Sequence, residues 1–96
     1  MRASKSYAGS LQAALRDPEE AAAYLNAALA EEDLSTFLLA VRDVSRAQGG
    51  LSGIAKKSGL NRENLYRMLS IQGNPRLRGL RGLLSVLGLT LAITKK

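Results

Sequence analysis

The sequence predicts an all-α domain of about five short helices, followed by a short C-terminal β-strand. Three observations carry that expectation. Apolar residues make up 46% of the chain but aromatics only 4%, with no Trp, so the core must be Leu, Ala, Val and Ile, the residues that packed helices use. Helix-start signals recur at Asp17-Pro18, Asp33 and Asn61. After these signals, apolar residues return at helical spacing. The 96 residues suit one domain, residues 1–96, with a modest core.

The elements follow in order. Residues 1–16 read as a loosely structured N-terminal arm, with a short helix over Ser10–Arg16 as an option. Asp17-Pro18-Glu19-Glu20 starts a helix. Asp caps it, Pro takes the first helical position, and the acids sit at the positive end of the dipole. This helix runs to about Ala30, with Leu25, Ala28, Leu29 and Ala22 as its apolar stripe. Asp33 caps a second helix over Leu34–Gln48, in which Phe37, Leu38, Val41, Val44 and Ser45 follow helical spacing. Gly49-Gly50 ends it. Short helices are expected over Leu51–Ser58, broken by Gly59, and over Arg62–Ser70, capped by Asn61. Gln72-Gly73-Asn74-Pro75 reads as a loop. A final helix begins at Leu77 or Leu80 and ends at Leu87-Gly88. Leu89–Thr94 alternates as a strand does. Leu83, Leu84, Leu87 and Leu89 either complete the core or pair with another chain.

Composition excludes much chemistry. Cys and His are both absent, which removes disulfides, thiolate metal sites and the commonest general base. Eight Asp and Glu residues remain, without a nucleophile–base pair. The expectation is a non-enzyme with no metal, no cofactor and no small-molecule substrate. Met1–Ser10 lacks the apolar core of a signal peptide. Gly82–Thr94 is shorter than the ~20 residues of a membrane span. A cytoplasmic location with no membrane partner follows as the default.

The net charge of +6 is unevenly spread. Residues 1–34 carry three bases and six acids, whereas residues 35–96 carry eleven bases and two acids. A basic half suits a polyanion, and an acidic half suits something else.

The informative segment is 51–70. Two helices crossing steeply through a short turn need a small residue at the crossing, a positive φ in the turn and a branched apolar plug. Ala55, Gly59 and Leu65 supply these at matching spacing, and Ile54, Leu60 and Met68 complete the wedge. The pattern is that of a DNA-binding helix-turn-helix, an ordinary αα-corner being the alternative. If the second helix enters a major groove, its outward and leading residues read bases. Those are Arg62, Glu63, Asn64 and Arg67, side chains suited to guanine, cytosine and adenine. An i,i+4 ion pair between Glu63 and Arg67 is another use of the same residues. Ser52, Lys56, Lys57, Tyr66, Arg76, Arg78 and Arg81 are candidate contacts to double-stranded DNA phosphates. One recognition helix covers about half a site, so a homodimer is expected.

The order of these elements resembles the Cro/phage-repressor class, whose fold is lambda-repressor-like. The chain is closer still to the small antitoxins, or addiction-module antidote proteins, whose toxins are RelE/ParE-like, Hig-type modules among them. The resemblance rests on residues 17–29, Ala47-Gln-Gly-Gly50, Ser58-Gly-Leu-Asn-Arg-Glu-Asn-Leu-Tyr66, Gly73-Asn-Pro-Arg76 and Val86-Leu-Gly-Leu-Thr-Leu91. It implies a type II antitoxin that neutralises a small toxin and binds operator DNA as a dimer to repress its own operon. The alternative is a stand-alone regulator of phage or plasmid type. The acidic helix from Asp17 to Glu32 is the candidate toxin-facing surface. Two positions depart from the pattern. Leu51 stands where those repressors often place a phosphate-binding Gln, and Gly79 where the family tends to have a Ser or Thr cap.

Overall fold

The computed structural model describes residues 10–70 and 73–96. Positions 1–9, which include Arg2 and Lys5 of the expected arm, and Gln72 of the expected loop lie outside the described residues. The described chain is all-helical, with six helical segments: α1 (10–14), α2 (Pro18–Leu29), α3 (Leu34–Ala47), α4 (Gly50–Ser58), α5 (Arg62–Met68) and α6 (Leu77–Val86). None of these is long and apolar enough to cross a membrane.

The helix starts are set by local chemistry. The Asp17 carboxylate accepts from the Glu19 amide at 3.0 Å, with Pro18 at the first helical position. Asp33 accepts from the Ser35 amide and from both the Ser35 and Thr36 hydroxyls. The Asn61 side chain accepts from the Glu63 and Asn64 amides at 2.7 and 3.3 Å. Each cap satisfies amides that the first helical turn leaves without partners.

The core gathers on α3. Phe37, Leu38, Ala40, Val41, Val44, Ser45 and Ala47 are all buried there, and the Ser45 hydroxyl donates to the Val41 carbonyl at 2.8 Å. α2 packs on α3, and α4 touches α3, α5 and α6. Leu15, at the end of α1, is buried in the same cluster. The Tyr24 hydroxyl donates to Asp43 at 2.7 Å and ties α2 to α3. The Gln48 side chain donates to the Leu87 carbonyl at 3.4 Å, linking the ends of α3 and α6.

Several expectations need correction. Ala21 and Leu25 form the buried stripe of α2 with Ala28 packed beside them, an i, i+4, i+7 row. Leu29 lies off that row and is 52% exposed. α5 stops at Met68 rather than Ser70, because the Ser70 hydroxyl takes the Arg67 carbonyl at 2.9 Å and closes the last turn. α6 begins at Leu77 with Arg76 in the cap position, so Gly79 lies inside the helix and caps nothing. A Cβ on Gly79 would approach the Met68 methyl, the end of a flexible side chain, to 3.2 Å.

The expected strand over Leu89–Thr94 is not formed: residues 89–96 hold no regular structure. A strand needs a neighbour for its alternate amides and carbonyls, and the described residues contain no strand to provide one. Leu83, Leu84 and Leu87 are buried and complete the core, with Leu89 packed against it. α6 ends in a Schellman arrangement. Gly88 takes φ +81°, its amide bonds to the Ser85 carbonyl, and the Leu89 amide bonds to the Leu84 carbonyl at 2.8 Å.

Candidate nucleic-acid interface

α4 and α5 meet through the turn at 59–61. Gly59 adopts φ +74° and returns its amide to the Ala55 carbonyl at 3.1 Å. The Ser58 hydroxyl accepts from the Leu60 amide and fixes the next bond. Ile54 and Leu65 are fully buried, while Ala55, Leu60 and Met68 pack half-buried at the cluster's edge. Leu65 and Leu69 anchor the inner face of α5, and this determines which residues face outward.

Arg62, Glu63, Asn64, Tyr66 and Arg67 are all exposed. At ~100° per residue, Glu63 and Arg67 point almost directly away from Leu65. They form no ion pair; among the described residues the ion pair is Arg46–Asp43 at 3.9 Å. The pairing on α5 is instead Arg62 with Tyr66. The guanidinium lies 5.4 Å from the ring centroid and donates to the hydroxyl at 3.4 Å. Arg62 thus leans along the helix, whereas Arg67 is exposed with no ring contact or ion pair among the described residues.

The start of α4 has no side-chain cap. Gly49 and Gly50 lead into it at φ +108° and +80°, bare of side chains, so its first amides remain open to an anion. Beside them Arg42 and Arg46 of α3, Ser52 of α4 and Tyr66 of α5 line an open concavity of about 300 Å³. Ser52 and Tyr66 are therefore brought together. Arg42 and Arg46 are additions that the linear sequence did not single out. Their i,i+4 spacing on α3 was visible, but only the Gly49–Gly50 reversal carries the start of α4 back beside them.

The other cationic residues are placed differently. Lys56 and Lys57 are exposed on the last turn of α4. Arg78 and Arg81 line a second concavity against residues 89–91, and Arg76 is exposed ahead of α6. The arrangement offers spaced guanidinium and ammonium groups beside a protruding helix with polar outward side chains. Chemically it suits a polyanion with a regular charge spacing.

On the opposite charge balance, Asp17, Glu19, Glu20, Glu31, Glu32 and Asp33 are exposed at the two ends of α2. Asp33 is held below the ordinary carboxylate value of 3.8 by the Ser35 and Thr36 hydroxyls and the Ser35 amide. Glu32 adopts φ +61°, a left-handed conformation uncommon for a non-glycine residue.

Residues 8–95 match a family described as "Probable addiction module antidote protein". An uncharacterized protein of Haemophilus influenzae is 43% identical over 61 residues. That alignment covers 64% of this chain and 62% of the relative's length. No solved structure matches the chain.

Proposed function

The chain belongs to the addiction-module antidote family, and from that premise we propose that it is the antitoxin of a type II module that also represses its own operon. In this reading α4, the turn at 59–61 and α5 are a helix-turn-helix of the Cro/phage-repressor class, and α5 enters the major groove of operator DNA. Arg62, Glu63, Asn64 and Arg67 read base edges. Ser52 and Tyr66 hold phosphate together with Arg42 and Arg46, while Lys56, Lys57, Arg76, Arg78 and Arg81 add charge along the backbone. The observation that carries the reading is the exposed polar face of α5, anchored by fully buried Leu65 and flanked by the arginine-lined concavity.

Leu51 cannot make the phosphate contact that a Gln makes in the resembling repressors, and in this reading Arg42, Arg46 and the uncapped amides of α4 take its place. The protein acts as a homodimer on a two-fold operator. Its toxin is a small basic protein of the RelE/ParE type, and the carboxylates at the ends of α2 match that charge.

A reporter fused to the DNA upstream of this reading frame tests the two activities apart. The wild-type chain should silence the reporter and protect cells from the toxin encoded beside it. Arg67→Ala should release the reporter while protection persists. A reporter indifferent to the wild-type chain contradicts autorepression, and cells left unprotected by it contradict the antitoxin reading.

A further inference from the structure

We propose that residues 89–96 pair antiparallel with the same residues of a second copy, about a two-fold axis at Ala92. The inference rests on the homodimer reading above and supplies its interface.

Among the described residues, no hydrogen bond involves any residue from Thr90 to Lys96. Past the Schellman turn, Leu89, Thr90 and Leu91 line two concavities, one shared with Leu77 and Arg81 of α6 and the other with Ala22 and Leu29 of α2. Leu89, Leu91 and Ile93 alternate with Thr90, Ala92 and Thr94. Leu89 packs on the core, Leu91 is 37% exposed, and Ile93 is fully exposed. The apolar row therefore begins on the molecule and runs off it.

The row is self-complementary about Ala92. Antiparallel pairing centred there sets Leu91 opposite Ile93 and Thr90 opposite Thr94 of the second copy, so around the axis apolar meets apolar and threonine meets threonine. The same register sets Lys95 and Lys96 opposite Leu89 and Gly88. A Cβ on Gly88 would lie 3.6 Å from Pro18, at the start of α2, where Asp17, Glu19 and Glu20 are exposed. Two lysines of one copy thus approach three carboxylates of the other. A basic partner protein is less suited to this surface, since it would meet Lys95, Lys96, Arg78 and Arg81.

The chain has no cysteine, which permits a direct test on the full chain. Ala92→Cys brings two thiols together on the axis, where paired Cα atoms lie ~4.5–5.5 Å apart, within disulfide reach. Mild oxidation should cross-link it almost completely. Thr90→Cys, ~13 Å from its mate in this register by the strand rise, should stay largely uncross-linked. Sedimentation should show a wild-type dimer and at least a ten-fold weaker one for Ile93→Asp, with unchanged helical circular dichroism.

A wild-type chain that stays monomeric contradicts the homodimer reading itself. A dimer unaffected by Ile93→Asp, or equal cross-linking at 90 and 92, leaves that reading standing and overturns this interface. So does an Ile93→Asp dimer that has lost only a co-expressed toxin, because the surface then belongs to the toxin.

Discussion

The caps at Asp17, Asp33 and Asn61 show how far single residues fix the chain. All three were legible in the sequence, since a short polar side chain ahead of an apolar row has one favourable use. Asp33 does most, accepting three hydrogen bonds. Its folded-state pKa is lowered from 3.8, so its contribution to stability is present above that value and is lost as pH falls through the folded value. The melting temperature of Asp33→Asn should lie below wild type at about pH 6, and the two should converge by about pH 2. A constant difference over that range removes the ionised cap from the account. The outward residues of α5 were also legible, because a buried Leu65 fixes the opposite face by angle alone. What Arg62 does with its charge was not. Its stacking on Tyr66 depends on rotamers, which residue spacing does not encode. Arg67 is unstacked, so Arg67→Ala should abolish preference for operator over unrelated DNA. Arg78→Ala should weaken binding to both about equally and lower the salt slope by about one.

At the scale of elements, glycines separate turns from helix interiors. Gly59 sits at φ +74° between α4 and α5. Gly59→Ala forces a Cβ into the left-handed region and should cost about 1–2 kcal/mol in urea unfolding. Gly82 is ordinary helix interior with open space around it, and Gly82→Ala should add about 0.5–1 kcal/mol. Equal effects at the two sites would contradict the assigned turn. The sequence located the turn glycines Gly49, Gly50 and Gly59 at the ends of α3 and α4, because Gly follows an amphipathic row at each. Gly79 stands where the resembling family tends to have a Ser or Thr cap, but α6 starts two residues earlier, at Leu77, which leaves Gly79 in the helix interior. The alternation at Leu89–Thr94 was read as a strand, yet alternation reports only which face is apolar. Whether a strand forms depends on a neighbour that a single chain does not contain.

For the whole molecule, the acidic residues of the first third and, apart from half-buried Arg42, the basic residues of the remainder stay exposed after folding. The carboxylates gather at the ends of α2, and the cations surround α4, α5 and α6. Their segregation was visible in the linear charge count. The joining of Arg42 and Arg46 with the start of α4 was not, because it arises from the reversal at Gly49–Gly50. The core that holds these surfaces in place centres on α3, with Leu65 closing it from α5. Leu65→Ala should cost about 2–5 kcal/mol and weaken DNA binding with it, since Leu65 is one of the buried anchors that orient α5.

Recognition of operator DNA by the α4–α5 face can be measured by titrating the purified protein against its own upstream DNA at two salt concentrations, with unrelated DNA as competitor. The expected result is a specific complex whose affinity falls steeply with salt, with a slope reporting roughly 4–8 neutralised phosphates. Binding that does not distinguish the two DNAs, or that ignores salt, would contradict it.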